Sequence, residues 1–304
     1  MLSGEKILIT GPAGKIAFGI AKALAKHNEV WGIARFTDPT GREEVEKLGV
    51  TTRKLDLYAA DFGDLPRDFT YLLHIAVAFE QDHDRALRSN GEGTGLLLEH
   101  CRRARAALVM SSYSVYRPQP DPFYAYRESD PLGDPLTHAV TSYPVSKICQ
   151  EVVARYCARS LGLPVTIARM NAAYGARGGL PVMHMEDLVA GRPVVTRSDP
   201  CAYTPIHDDD IAAQLEPLLA SASVPATIVN WGGDEVVTVQ EWAAYSGELL
   251  GVPVKVEVEE IPGGAGGMVS DNSRRRALTG PTRVSWREGF RRTLEALHPE
   301  RIAV

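Results

Sequence analysis

Ile7-Leu8-Ile9-Thr10-Gly11-Pro12-Ala13-Gly14-Lys15-Ile16-Ala17 is the stretch on which the reading of this chain turns. Ile7, Leu8 and Ile9 form an apolar run of the length expected for a buried strand. Beyond the turn, Ile16, Ile20 and Leu24 recur at helical spacing, with Ala17 and Ala21 beside them. Strand, glycine turn and helix in that order are the setting a dinucleotide-binding turn requires. Gly11 permits the tight turn. Gly14 lets the backbone approach a pyrophosphate at the helix N-terminus, where unpaired amides and the helix dipole favour anions. The spacing is GxxGxxA; Ala17 stands where a third glycine is usual, and its methyl still allows helix and strand to pack closely.

The alternation continues outward. Residues 30–34, 52–57, 71–76, 107–111, 165–170 and 227–230 read as further strands. Helical patterns over 42–48, 95–105, 142–160 and 211–220 separate several of them. Strands alternating with helices predict an α/β fold with a doubly wound parallel sheet.

Tyr143-Pro144-Val145-Ser146-Lys147 places a phenol and an ammonium four residues apart, on one face of a helix. Val145, Ile148, Val152 and Tyr156 recur at helical spacing and support that helix. A phenol has a free pKa of about 10. A neighbouring cation stabilises the phenolate and is expected to bring that value down, making the pair a proton donor and acceptor. Ser111 and Ser112 follow the apolar run that ends at Met110, at the C-terminal end of a strand. Open α/β sheets hold their ligand crevice there, and a hydroxyl in that place polarises a carbonyl or steadies an alkoxide.

Taken together, these motifs resemble the extended short-chain dehydrogenase/reductase family, which includes sugar-nucleotide epimerases and dehydratases. The residues that carry the resemblance span nearly the whole chain. They are Thr10-Gly11-x-x-Gly14-x-x-Ala17, Asn90-Gly91-Glu92-Gly93-Thr94, Ser111-Ser112-x-x-x-Tyr116, Tyr143-x-x-x-Lys147, Arg169-x-x-x-x-Tyr174-Gly175 and Thr204-Pro205-Ile206-His207-x-Asp209-Asp210. The resemblance implies a Rossmann-type dinucleotide domain over residues 1–170, to which 206–232 return. A smaller substrate-binding lobe would occupy 171–205 and 233–304. It also implies that Tyr143 is the general acid/base, that Lys147 lowers its pKa and holds the nicotinamide ribose, and that Ser112 hydrogen-bonds the reacting oxygen. The implied cofactor site comprises Gly11, Ala13, Gly14, Lys15, Ile16, Arg35, Asp56, Leu57, Ala76, Val77, Ala78, Met110, Ser111, Tyr143, Lys147, Met170 and Ala173. Asp56 and Leu57 would meet the adenine, and Ala76 would lie beside the ribose-phosphate. A homodimer through the helices near 95–105 and 143–160 is a further family expectation.

Cofactor choice rests on the second strand, Val30-Trp31-Gly32-Ile33-Ala34-Arg35. NAD sites usually carry a carboxylate at its end, for the adenosine ribose hydroxyls. Here the end carries Arg35, whose guanidinium suits a 2′-phosphate and stacks on adenine. Lys15 adds charge in the glycine turn. The expectation is NADP(H), with NAD(H) as the alternative should Asp38 turn back to the ribose.

Two departures from the family pattern bear on the substrate. Members that bind nucleotide sugars carry an Asn three before the glycine of the Tyr-Gly pair and an Arg four before the histidine of the His-x-Asp-Asp stretch. This chain has Ala172 and Tyr203 there, with Asn171 one place off. A diphosphate wants Arg or Lys, so a small non-nucleotide substrate is expected. Dehydratases of the family place an Asp-Glu pair after the catalytic hydroxyl; Tyr113-Ser114 stand there instead. Hydride transfer with Tyr143, Ser112 and Lys147 is the chemistry that remains, as an alcohol–carbonyl oxidoreductase rather than an epimerase. Phe79, Ser112, Tyr113, Tyr143, Asn171, His184 and Tyr203 are the candidate substrate contacts. A Pro- and aromatic-rich loop over 117–137 is expected to cover the site. An NAD-dependent nucleotide-sugar epimerase and a non-catalytic dinucleotide sensor are the competing readings.

Composition agrees with a globular enzyme: 304 residues, 44% hydrophobic and 23% charged. A net charge of −5 gives no reason to expect nucleic acid or anionic membrane as partner. No apolar run approaches membrane-spanning length, and the first six residues leave no room for a signal peptide, so a cytoplasmic enzyme is expected. Cys101, Cys149, Cys157 and Cys201 lack metal spacing and read as reduced thiols. His207-Asp208-Asp209-Asp210 reads as a cap on a helix starting near Ile211 rather than a metal site, and no metal is expected. Arg274-Arg275-Arg276 reads as a solvated face, and the glycines of 263–267 as a flexible loop or lid.

Overall fold

The computed structural model describes residues 2–133 and 141–302. The last part of the expected covering loop, from 134 onward, lies outside the described residues. The chain divides into two compact units. The first comprises Met1–Val115, Ala139–Arg169 and Ala212–Val229; the second comprises Tyr116–His138, Met170–Ile211 and Asn230–Val304.

A seven-stranded sheet is built from β1 (Lys6–Thr10), β2 (Glu29–Ala34), β3 (Thr51–Lys54), β4 (Tyr71–His74), β5 (Ala106–Ser112), β6 (Val165–Met170) and β7 (Thr227–Trp231). Their order is β7-β6-β5-β4-β1-β2-β3. The pairings of β1 with β2, β1 with β4, β2 with β3 and β4 with β5 are all parallel. The order reverses between β1 and β4, so the crevice beyond their carboxyl ends is the topological switch point, where such sheets take ligands. Strands this apolar on both faces need cover on both, and β5 is buried at all seven positions.

Helices α1 (Ala17–Leu24), α2 (Pro39–Lys47), α3 (His83–Leu87), α4 (Gly93–His100) and α5 (Ser142–Leu161) belong to this unit. Leu97 and Leu98 of α4 and Ala154, Cys157 and Ala158 of α5 join Leu8, Leu72, Val109 and Ile167 of the sheet in one buried cluster. The strand and helix boundaries read from the sequence hold to within a few residues. One inference was right for the wrong reason. The apolar positions used to infer α5, Val145, Val152 and Tyr156, are exposed. The buried face of α5 instead carries Ser142, Ser146, Lys147, Gln150 and Glu151 among small residues.

The second unit is a set of short pairings closed by aromatic packing. Ala173–Gly175 pairs with Ile206–His207, Ala202–Tyr203 with Val237–Thr238, and Val269–Ser270 with Ala125–Tyr126. Trp242 stacks on Tyr203 at 5.5 Å, and Phe290 meets Trp286 at 5.4 Å and Tyr174 at 4.9 Å between ring centroids. The helix Val239–Leu250 starts in a complete capping box between Thr238 and Glu241. No helix among the described residues is long and apolar enough to cross a membrane.

Candidate active site

The glycine turn leaves β1 at the switch point. Gly11 adopts φ +65°, and a Cβ on it would lie 3.2 Å from the Cβ of Ala76, just beyond β4. Glycine is therefore required twice, by conformation and by close approach. A Cβ on Gly32 of β2 would come within 2.7 Å of the Pro12 ring, so the turn's proline depends on that glycine. α1 opens without a side-chain cap and with no acidic residue in its first turn. The amides of its first turn thus face no carboxylate of that turn, the electrostatic setting an anion site needs. Lys15 is exposed beside them.

At the end of β2, Arg35 is about half exposed and reaches Glu80 at 3.5 Å. Asp38 caps α2, accepting the Thr40 N–H at 3.0 Å. Asp56 is exposed, with one carboxylate oxygen taking the Tyr58 N–H. Ala76, Val77 and Ala78 follow β4 half-buried. Asn90 fixes that segment, accepting from the Ala78 N–H and donating to its carbonyl, both at 2.9 Å.

β5 delivers Met110, Ser111 and Ser112, and α5 delivers Tyr143 and Lys147, all in the first unit. Both lone pairs of the Ser112 hydroxyl are occupied, by the N–H and the Oγ–H of Ser114 at 3.1 and 2.9 Å. Ser112 is thereby left as a donor. It hydrogen-bonds Tyr143 and eases its phenol down, but withdrawal from water dominates and pushes that phenol up to about 12. This corrects the sequence expectation of a lowered phenol. The Lys147 ammonium is drawn instead to the Met110 carbonyl at 2.8 Å and the Gln150 Oε1 at 2.9 Å. Burial lowers Lys147 itself to about 7, against the opposing pull of Glu151. Phe79, exposed, lays its ring 5.0 Å from that of Tyr143.

Behind these groups, Glu151 and Arg169 form a buried pair through two hydrogen bonds of 2.9 and 2.8 Å. Ser111 donates to the same carboxylate at 2.5 Å. Glu151 escaped the sequence reading, although its signal was present: 143, 147 and 151 are successive i+4 positions on one helix face. Gln150 gave no such signal.

The second unit holds the remaining candidates, and most prove to be internal scaffolding. Asn171 donates to the Met268 carbonyl and to Ser270, and accepts from the N–H groups of Ala172 and Thr204. That fills its amide's hydrogen-bonding capacity to two donors and two acceptors, so it has no capacity left to replace a diphosphate ligand. His184 is buried; its Nδ1 accepts from the Trp242 indole at 3.0 Å, and burial lowers it to about 4. Tyr203 is buried, with its hydroxyl accepting from Arg197 at 2.7 Å. Met170 and Ala173 are buried in the same unit. Tyr113 is half-buried in the first unit.

Three further readings change. Arg275 is fully buried rather than solvated, and is ion-paired with Asp234. The helix begins at Asp208 and is capped by His207, whose Nδ1 accepts the Asp209 N–H at 3.2 Å, whereas the Asp210 carboxylate takes the N–H groups of Arg283 and Val284 at 2.8 and 3.1 Å. Asp209, within ligand distance of His207 and Asp208, pairs with Arg292. The 263–267 glycines are partly packed: a Cβ on Gly267 would strike the Pro122 carbonyl, so close backbone contact rather than freedom explains that glycine.

Comparison with known proteins gives a consistent picture. Residues 7–191 match the NAD dependent epimerase/dehydratase family. A dTDP-4-dehydro-6-deoxy-D-allose reductase from a Streptomyces species is 25% identical over 297 residues, covering 90% of each chain. The reductase of the same name from Streptomyces bikiniensis is 25% identical over 281 residues, covering 84% of this chain and 85% of that protein. Among solved structures, the UDP-N-acetylglucosamine 4-epimerase of Methanobrevibacter ruminantium, in complex with UDP-N-acetylmuramic acid, superposes with a TM-score of 0.84 at 19% identity, covering 98% of this chain and 100% of that one. The Thermus thermophilus UDP-glucose 4-epimerase, in complex with NAD, superposes with a TM-score of 0.81 at 24% identity, covering 96% and 98%. The chain belongs to the NAD-dependent epimerase/dehydratase family, within the extended short-chain dehydrogenase/reductases.

Proposed function

We propose that this family member is an NADP(H)-dependent oxidoreductase that interconverts a carbonyl and an alcohol on a small non-nucleotide substrate, with Tyr143 as general acid/base. The observation that carries the reading is the joint placement of Ser112, Tyr143 and Lys147 at the carboxyl end of β5, with Ser112 fixed as a donor. A phenol pushed up to about 12 is protonated at neutral pH, which suits it to give a proton to a carbonyl oxygen. Ser112 polarises the same oxygen. Lys147 stabilises the phenolate that results. The bound nicotinamide supplies the hydride. Oxidation of the alcohol runs the same steps backwards and requires the phenolate, so it is favoured as pH rises.

The cofactor site is assigned to Gly11, Ala13, Gly14, Lys15 and Ile16 for the pyrophosphate, Asp56 and Leu57 for the adenine, Ala76, Val77 and Ala78 along the groove, and Met110, Ser111, Tyr143 and Lys147 at the nicotinamide end. Arg35 is the 2′-phosphate ligand, which Asp38 does not oppose because it caps α2. Glu80 competes for that guanidinium, and a phosphate dianion has the charge to displace it. Recognition of substrate is assigned to Phe79, Ser112, Tyr113 and Tyr143; Asn171, His184 and Tyr203 serve as scaffold within the second unit.

The second unit's interior supports a small substrate. Ala172 is buried, Asn171 is saturated and Arg275 is tied to Asp234, so none of the three is available to a diphosphate. A second reading has its own support. Two curated relatives are named as reductases of a dTDP-linked keto sugar, and Arg197 stands beside Tyr203 as a cation. The test is turnover of NADPH with a panel of free ketones and with a dTDP-4-keto sugar. Reduction of free ketones supports the proposal. Reduction of the nucleotide-linked ketone alone removes the small substrate and leaves the oxidoreductase. Epimerisation of a UDP-sugar on tightly held NAD, with no net use of added cofactor, overturns it. A fluorescence titration settles the cofactor: NADPH should bind at least about tenfold more tightly than NADH, or about 1.4 kcal/mol, and lose that margin in Arg35→Ala.

A homodimer is part of the same proposal. Val145, Val152 and Tyr156 make one exposed apolar stripe on α5, and Leu96 is exposed on α4.

A further inference from the structure

The hydrogen bonds behind Lys147 have a direction that counting lone pairs reveals. Thr10 Oγ1 accepts the N–H groups of Ile75 and Ala76 at 3.0 and 2.9 Å. Both its lone pairs are then occupied, so its O–H is what faces His74 Nδ1 at 2.9 Å. Nδ1 is therefore an acceptor. The ring proton sits on Nε2, which donates to Thr94 Oγ1 at 2.7 Å. Thr94 passes its own proton to the Asn90 carbonyl at 2.6 Å. The second lone pair of Thr94 takes the Gln150 Nε2–H at 3.2 Å. Gln150 Nε2 also lies 3.1 Å from His74 Nε2; with a proton on each nitrogen this is a close approach of two donors, not a bond.

The outcome is an oriented amide. Thr94 claims the NH2 end of Gln150, so its oxygen must face Lys147. All five side chains in this run, those of Thr10, His74, Thr94, Gln150 and Lys147, are at most 2% exposed. A protonated His74 would point an N–H at the Thr10 oxygen, whose lone pairs are already taken. Burial and this lack of an acceptor both hold the ring neutral, and burial together with the Lys147 charge lowers it to about 3.

We propose that Gln150 is a positioning residue for Lys147: its oriented amide oxygen holds the ammonium against the Met110 carbonyl and keeps it charged, and the run from Thr10 through His74 and Thr94 sets that orientation. The third ammonium proton has no partner among the described residues and is left for the cofactor ribose or the Tyr143 phenolate. The proposal rests on Lys147 being the partner of Tyr143, as argued above. The charged and titratable groups that act on Lys147 are Glu151 on α5 and His74 from β4, with Tyr143 one turn earlier on the same helix. Arg169 of β6 answers Glu151, and β5 contributes only the Met110 carbonyl and Ser111. Gln150 is thus a neutral acceptor supplied to a lysine that burial otherwise discharges.

The test reads the ammonium directly, in apoprotein carrying 13C-labelled lysine side chains. The Lys147 signal is assigned by its disappearance in Lys147→Met, and its titration midpoint is followed by NMR. Gln150→Leu should lower the midpoint by about one unit, the scale of a lost charge-assisted hydrogen bond. Gln150→Glu should raise it. Thr94→Val, which frees the amide to turn, should lower it by less than Gln150→Leu. Should Gln150→Leu fail to fold, Gln150→Glu carries the test alone. An unchanged midpoint in Gln150→Glu, or equal midpoints in Gln150→Leu and the parent, overturns the proposal. No turnover enters this readout. Turnover that survives in Tyr143→Phe would remove the catalytic reading without touching the midpoints.

Discussion

The two faces of α5 invert the usual order. Its buried face is polar, with Ser146, Lys147, Gln150 and Glu151 all at most 2% exposed; its open face shows Val152 at 56% and Tyr156 at 69%. A globular helix normally hides its apolar stripe. The inversion is stable because each buried group has a named partner: Glu151 has Arg169 and Ser111, Lys147 has Met110 and Gln150, and Ser146 donates to the Tyr143 carbonyl. Buried polar groups without such partners would cost more than the packing returns. The lesson is that on this helix the polar face is held by internal partners, and the apolar face is left open to another surface.

The largest effect that would sharpen this contrast is on turnover. Tyr143→Phe removes the phenol on which the proposed chemistry depends. It should lower carbonyl reduction by about 10²–10⁴-fold, while NADPH binding changes little. Steady-state rates and a cofactor titration check both halves. Equal loss of binding and turnover would mean the ring, not the proton, matters.

The support behind the face should register as stability. Glu151→Gln leaves the buried Arg169 guanidinium without its counter-charge and should destabilise by about 3 kcal/mol or more, read by urea unfolding. Replacing both, as Glu151→Gln with Arg169→Met, should recover part of that loss, because the uncompensated charge is gone. A double variant as unstable as the single one would break the view that charge balance holds this face.

Legibility in the sequence followed the same divide. The sheet was readable because strands buried on both faces are continuous apolar runs, and because Gly11 and Gly14 punctuate one of them. Tyr143, Lys147 and Ser112 stood out for their spacing and strand-end positions, and the structure sets Ser112 against Tyr143 with all three in the first unit. His74 and Gln150 were not, since a polar residue among apolar ones looks alike whether it closes a network or faces water, and Thr94 was read only as part of its motif, without its partners. Asn171 and His184 were overread for the converse reason. In the second unit, long-range partners such as Met268, Ser270 and Trp242 saturate them, and no local pattern announces a partner some 60 to 100 residues away. Arg275 looked solvated within its triplet because Asp234 lies 41 residues earlier.

Buried histidines give each unit an acid-sensitive element. His74 is lowered to about 3 and His184 to about 4, from an unfolded value near 6.5. Between those values and 6.5 the unfolded chain binds protons that the folded chain refuses, so stability is lost as pH falls. Each proton contributes up to about 1.4 kcal/mol per pH unit. Unfolding free energies at pH 5 and pH 6 should therefore differ by roughly 2 kcal/mol from these two groups. His74→Gln should remove roughly half of that slope. A slope unchanged by the substitution would show that His74 is not held neutral by the fold.

The smallest effects belong to the apolar face, and they carry information by staying small. Val152 and Tyr156 lie in no described hydrogen-bond network, so Val152→Thr and Tyr156→Ser on a monomer should shift stability by no more than about 0.5 kcal/mol. If two copies cover these stripes, each substitution exposes or removes interface area instead. The unfolding midpoint of the parent would then rise with protein concentration, as mass action requires of a dimer, and both variants would flatten that dependence. Sedimentation at matched concentrations separates the cases. A monomer with unchanged stability would leave the apolar face of α5 as mere surface. A concentration-dependent midpoint, abolished by Tyr156→Ser while the Tyr143 chemistry persists, would show that one helix divides catalysis and assembly between its two sides.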